Sequence, residues 1–290
     1  MPGDTGRQTS RERFALDQWA DWFELTIGLA RIDESEFAAS DNGNVGSTSA
    51  PKMIFDQAEF DIRCEWGLNG IQQLAGISDA IVIVDVLSFA TCVSIAVTRG
   101  AVVFPFRWKD DSVLEYARTV DAMRAGERGK SRYSLSPGSL REIPRGTRLV
   151  LPSPNGSALT LSTGKTPTFA GCLRNSRVVA RFAARCGPKI GVIPAGERWH
   201  DTDSLRPALE DLVGAGAVIR HLAGGVSPEA RLAVHAFDGF KEDLLAGLGR
   251  CSSGKELIAK GFQEDVLLAS ELDVDPCAPR YSEGAYRTVE

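Results

Sequence analysis

DAIVIVDVL-S-FATCVSIAVTRG, residues 79–100, is the stretch whose reading decides the fold. DAIVIVDVL (79–87) is a near-continuous apolar run, the pattern of a strand buried on both faces. FATCVSIAVTRG (89–100) reads as a helix stopped by Gly100. AVVFPF (101–106) is the next strand. Strand, crossover helix and strand in succession are the unit of a parallel sheet covered by helices.

The alternation continues outward. The spacing predicts a helix over 112–126, a strand over 147–153 and a short helix ending near Gly164. TPTFAGCL (166–173) leads into the helix NSRVVARFAARCG, with Asn175 as its N-cap. KIGVIPAG (189–196) leads through a polar loop into a helix over 204–224. The expected class is α/β, a layered α/β/α arrangement on a mostly parallel or mixed sheet, with room for two subdomains. Upstream, ALDQWADWFELTIGLARI is one amphipathic helix candidate, and SDNGNVGSTSAPK reads as a joint. Residues 1–52 are therefore expected to be an extension and flexible linker, and 53–290 the α/β domain.

Composition excludes several classes. The chain has 290 residues, a net charge of −5 and no long basic run, so nucleic acid is not an expected partner. No apolar stretch reaches membrane-spanning length and the first residues lack a signal-peptide core, so a cytoplasmic protein without a membrane partner is expected. The six cysteines, without paired or zinc-like spacing, read as reduced thiols.

In such sheets ligands gather at the carboxyl ends of the strands, and four loops there are polar. Asp85 closes the first strand; a carboxylate in that position wants a partner such as a metal, or serves as a helix cap. Ser153-Pro154-Asn155-Gly156-Ser157 pairs a glycine that allows close approach with a helix start that offers amides to an anion. Leu173-Arg174-Asn175-Ser176 repeats the theme. Ala195-Gly196-Glu197-Arg198-Trp199-His200-Asp201 concentrates acid, base and imidazole, and Glu210 and Asp211 follow.

Sharper motifs fail. Gly249–Glu256 has most of a P-loop, but Glu256 stands where a magnesium-binding hydroxyl is required and no strand precedes it. Cys92 and Arg99 are one residue too far apart for a cysteine phosphatase. Leu87 occupies the second aspartate position of an aspartyl-phosphate phosphatase. Gly-x-Ser-x-Gly is absent, and His200, His221 and His235 lack metal spacing. The residues alone point to an anion site with carboxylates suited to a hard cation, hence magnesium-assisted chemistry on a phosphorylated small molecule.

Six blocks in order resemble the 2-phosphosulfolactate phosphatase family: DVLSFATCVSIAVTRGA (85–101), AGERG (125–129), SPNGSAL (153–159), AGCLRNSRVVA (170–180), PAGERW with LEDLVGAGAVI (194–219), and SSGKELIAKGFQEDVLLASELD (252–273). The resemblance covers roughly residues 58–281 and absorbs the failed P-loop. It implies a Mg²⁺-dependent hydrolase that converts 2-phospho-3-sulfolactate to 3-sulfolactate, a step towards coenzyme M.

On that basis Asp85, Asn155 and Glu197 are expected to be catalytic. Ser88, Arg128, Ser153, Gly156, Ser157, Arg174, Asn175 and Arg198 are expected around the phosphate and the other acidic groups. Asp85, Glu210 and Asp211 are expected around Mg²⁺. The expected partner is a small phosphorylated acid, with a homo-oligomer left open. Three positions depart from the family: Ser88 stands where it carries Arg, Ser153-Pro154 where it carries paired Thr, and Ser134-Leu135-Ser136-Pro137 where it reads Gly-Asn-Ser-Pro. Losing an Arg removes a fork-like anion donor. A different phosphorylated hydroxy acid, or a non-catalytic anion-binding protein that kept the fold, is the alternative.

Overall fold

A computed structural model describes residues 54–107 and 112–289. The extension and linker expected over residues 1–52 lie outside them. Within the apolar run 79–87, strand β2 spans Ala80–Val84, with every residue buried. Ile81 and Ile83 join a core on one face, and Val82 and Val84 a core on the other. This two-sided burial is why β2 lacks the polar alternation of an exposed sheet. Helix α2, Phe89–Thr98, follows and is buried along nearly its whole length. It ends at Gly100, whose φ of +83° reverses the chain without a Cβ penalty.

Nine strands form one mixed sheet. Beside β2 lie β1 (Ile62–Cys64), β6 (Thr168–Gly171) and β7 (Ile190–Pro194). A second group comprises β3 (Val102–Phe106), β4 (Met123–Arg124) and β5 (Arg148–Pro152). The C-terminal strands β10 (Pro279–Ser282) and β11 (Ala285–Thr288) complete the order β1-β7-β2-β6-β10-β11-β3-β5-β4. Pairing is parallel within each group. The β10–β11 hairpin enters antiparallel and joins the two groups that a subdomain division would separate.

Helices cover both faces. Helix α1 (Gly67–Leu74), α2 and the short helices α4 (Pro137–Leu140) and α5 (Gly156–Thr160) lie on one side. Helices α6 (Ser176–Ala183), α7 (Leu209–Ile219) and α8 (Pro228–Phe240) pack on the other, with α3 (Ser112–Thr119) against the β3–β5–β4 group. Helices α9 (Leu244–Arg250), α10 (Ser252–Ala259) and α11 (Gln263–Ser270) complete the set. None of these helices is long and apolar enough to cross a membrane.

Three local expectations are corrected. Helix α3 stops at Thr119 instead of 126, because Asp121 takes a left-handed φ of +46° and residues 123–124 leave to pair with β5. The 204–224 helix starts at Leu209: Leu205–Arg206 form β9, paired with β8 (Glu197–Arg198), and Pro207 separates strand from helix. Asn175 precedes α6 but does not cap it; its side chain accepts from Cys172 N at 2.9 Å and donates to the Ala170 carbonyl. The rejected P-loop stands as rejected, since a helix, α9, precedes it.

Candidate active site

The carboxyl ends of β2, β5 and β7 meet, and two aspartates tie them together. Asp85, the first residue past β2, is 5% exposed. Its Oδ1 accepts from Phe89 N, the first amide of α2, and its Oδ2 from Gly156 N, the first amide of α5, both at 2.9 Å. The anion at the head of α5 is thus Asp85 itself. Gly156 is glycine for a local reason: a Cβ would lie 2.2 Å from the Phe89 ring and 2.8 Å from Asp85 Oδ2.

Asp211, on α7, makes the second tie. It accepts from Val86 N at 2.7 Å and from Gly196 N at 2.8 Å, joining the loop after β2 to the loop after β7. Burial, then the charges of Asp85 and Glu210, push its carboxyl well above the usual range. Glu210 is equally buried.

Glu197 and Asn155 occupy the open side. Asn155 Nδ2 donates to Glu197 Oε2 at 2.9 Å across the gap between the β5 and β7 loops. Burial raises the Glu197 carboxyl to about 7, with Asp85 adding to the rise and the Asn155 bond opposing it. Both side chains line a cavity of about 510 Å³. Its apolar wall includes Trp66, Leu159 and Leu205; Asn69, Arg107 and Arg198 bring polar groups.

Asp85, Asn155, Gly156, Glu197, Glu210 and Asp211 therefore converge, while other expected residues are engaged elsewhere. Ser153 and Ser157 are buried; Ser153 Oγ accepts from Asn155 N, and Ser157 Oγ donates to the Leu151 carbonyl. Both shape the loop. Arg174 is buried against Asp275, Glu271 and the Leu268 carbonyl. Arg198 is exposed and donates to Asp203. Ser88 is buried, and Arg128 reaches its Oγ at 3.3 Å.

Sequence reasoning missed Trp66, Asn69 and Arg107. Arg107 directly follows β3, a strand-end position that offered a signal. Trp66-Gly67-Leu68-Asn69 opens α1, and Gly67 takes a φ of +56°; a turn glycine before a helix was the only clue.

The sequence model of 2-phosphosulpholactate phosphatase matches residues 69–284. The chain belongs to that family. The match takes in the loops after β2, β3, β5 and β7 just described, while Trp66, Gly67 and Leu68 precede it. Among relatives named probable 2-phosphosulfolactate phosphatase, that of Gloeobacter violaceus is 29% identical over 217 residues, 71% of this chain and 89% of the relative. That of Symbiobacterium thermophilum is 27% identical over 246 residues, covering 76% and 97%. That of a Cyanothece species is 28% identical over 222 residues, covering 68% and 87%. The 2-phosphosulpholactate phosphatase family thus extends across the described α/β domain almost from end to end.

Proposed function

We propose that the protein hydrolyses the phosphomonoester of a small acidic molecule, with 2-phospho-3-sulfolactate as substrate and 3-sulfolactate and phosphate as products. The observation that carries the reading is the Asn155–Glu197 bond in the cavity wall, beside the fixed carboxylate of Asp85. In hydrolysis water adds to phosphorus, the ester P–O bond breaks and the leaving oxygen takes a proton. Glu197, raised to about 7, holds a proton near neutral pH and sits where it can give it up. Asn155 orients that carboxyl and offers an amide to a phosphoryl oxygen. Asp85 carries two amide bonds that disperse its charge, which favours positioning over direct attack on phosphorus.

The donor set suits Mg²⁺. Four acids share one neighbourhood; burial first, and then their like charge, raises Glu197 and Asp211, and a hard cation would relieve the charge part. Among the described residues no three such side chains form a ready cage. Mg²⁺ is normally held by one or two carboxylates with water and substrate oxygens. Asp85 and Glu210 would hold it, leaving Glu197 to carry the proton. Asp211, whose carboxyl is pushed well above the usual range by burial and then by Asp85 and Glu210, would act as the brace behind them through its bonds to Val86 N and Gly196 N. When bound, the ion would supply positive charge to the phosphoryl oxygens.

The test is phosphate release from 2-phospho-3-sulfolactate with and without Mg²⁺. Turnover only with the metal is expected. Inertness towards this substrate, with turnover of another phosphorylated hydroxy acid, would replace the substrate; Ser88 in place of the family's Arg is what favours that second reading. Inertness towards both would leave an anion-binding protein.

A further inference from the structure

We infer that Asp265 is a positioning residue that fixes Arg128 beside Ser88, so that Arg128 recognises a second anionic group of the substrate, a carboxylate or sulfonate. This rests on the phosphatase reading of the same site and adds to it a recognition element from α11, far along the chain.

Asp265 lies in the first turn of α11 and is 2% exposed. It accepts from Ser136 Oγ at 2.6 Å and Gly138 N at 3.0 Å, and from Arg128 Nη1. Two neutral donors share its charge, so Arg128 does not have to neutralise it alone. Arg128 is held on further sides: Nη2 donates to the Leu135 carbonyl and to Ser88 Oγ, and the guanidinium lies 5.3 Å from the Phe262 ring centroid. A planar cation gripped in this way loses little rotamer freedom on meeting an anion. Its side chain still keeps 19% of its surface open.

Ser88 follows Asp85 by three residues, which puts Arg128 next to the β2 loop. Burial pushes the Cys92 thiol, one helical turn beyond Ser88, well above its ordinary value, with nearby Arg128 opposing the rise and Asp265 and Asp85 adding to it. Arg198 lines the cavity but is exposed and bonded to Asp203, and Arg174 is spent in a buried ion pair. Of the three arginines expected to meet the substrate's acids, Arg128 alone is at once half-buried, fixed and beside the Asp85 loop.

The experiment compares the wild type with Asp265→Asn, Arg128→Ala, Arg128→Lys and the Asp265→Asn/Arg128→Ala pair. Two substrates are used: 2-phospho-3-sulfolactate and p-nitrophenyl phosphate, which has no second acid. Binding of 3-sulfolactate is followed by calorimetry. Asp265→Asn should raise KM for phosphosulfolactate about tenfold, with kcat little changed. The ratio of kcat/KM between the two substrates should fall in Asp265→Asn and further in Arg128→Ala, with Arg128→Lys between Arg128→Ala and wild type. In the Arg128→Ala background Asp265→Asn should add almost nothing. Full additivity, or a kcat loss equal for both substrates, would overturn the inference by making Asp265 a loop brace only. If the wild type hydrolyses neither substrate, the phosphatase reading falls. Weaker 3-sulfolactate binding in Asp265→Asn would still support the inference, and unchanged binding would sink it.

Discussion

Asp85 Oδ2 accepts the backbone N–H of Gly156 at 2.9 Å, so the acid that closes β2 and the residue that opens α5 form a fixed pair 71 positions apart. The remaining site geometry follows from it. The bond holds the β5 loop against β2, and so brings Asn155 within reach of Glu197 on the β7 side.

Gly156→Ala puts a methyl group into the Phe89 ring and against Asp85. We expect a loss of about 1–3 kcal/mol in urea denaturation. Because the displaced loop carries Asn155, turnover should drop roughly a hundredfold. A variant with normal stability and turnover would show that the two loops are not in contact.

Asp85→Asn keeps the shape but turns one acceptor into a donor facing a backbone amide. Unfolding should cost about 1–3 kcal/mol less than in wild type. Turnover should fall by roughly two orders of magnitude if the charge faces the reaction. Turnover within twofold of wild type would assign Asp85 to loop bracing alone.

Glu197 sets the pH dependence. Its folded-state value of about 7 lies above the ordinary 4.5, so the folded protein holds this proton more tightly than the unfolded chain. That stabilisation is complete below about pH 4.5 and is lost as pH rises through 7. Glu197→Gln should therefore melt higher than wild type at pH 8, by about 2 kcal/mol after screening by the open cavity, and the gap should close towards pH 5. As the proton donor, Glu197 also makes kcat/KM fall above pH 7. The Gln variant should lose that limb and about 10²–10⁴ in rate. An unchanged pH–rate profile would remove Glu197 from proton transfer.

Metal binding separates the two neighbouring acids of α7. Mg²⁺ at a hundred times its Kd should stabilise the wild type by about 2.7 kcal/mol in thermal melts. Glu210→Gln should shrink that increment. Asp211→Asn should lower the melting temperature, as its bonds to Val86 N and Gly196 N are disturbed, yet keep the increment. The reverse pattern would exchange their roles.

The sequence by itself determined the α/β alternation, because a both-face-buried strand must be apolar throughout, as Ala80–Val84 is, and a glycine such as Gly100 must end the helix after it. It also placed Asp85, Asn155 and Glu197 at strand ends, where polar residues interrupt apolar runs. It did not reveal the β10–β11 hairpin, whose residues are short and partly charged and whose clue was the Glu283-Gly284 turn, both residues at positive φ. Only the tertiary structure decided which polar residues face the cavity and which are consumed internally. Arg174, Asn175 and Ser157 read in one dimension like Arg198 and Asn155, which line the cavity. Their bonds to Asp275, Cys172 and Leu151 draw them inward. The physical reason is that a buried polar group must find a partner, and the partner is chosen by distance in space, between residues such as Arg128 and Asp265 that lie 137 positions apart in the chain.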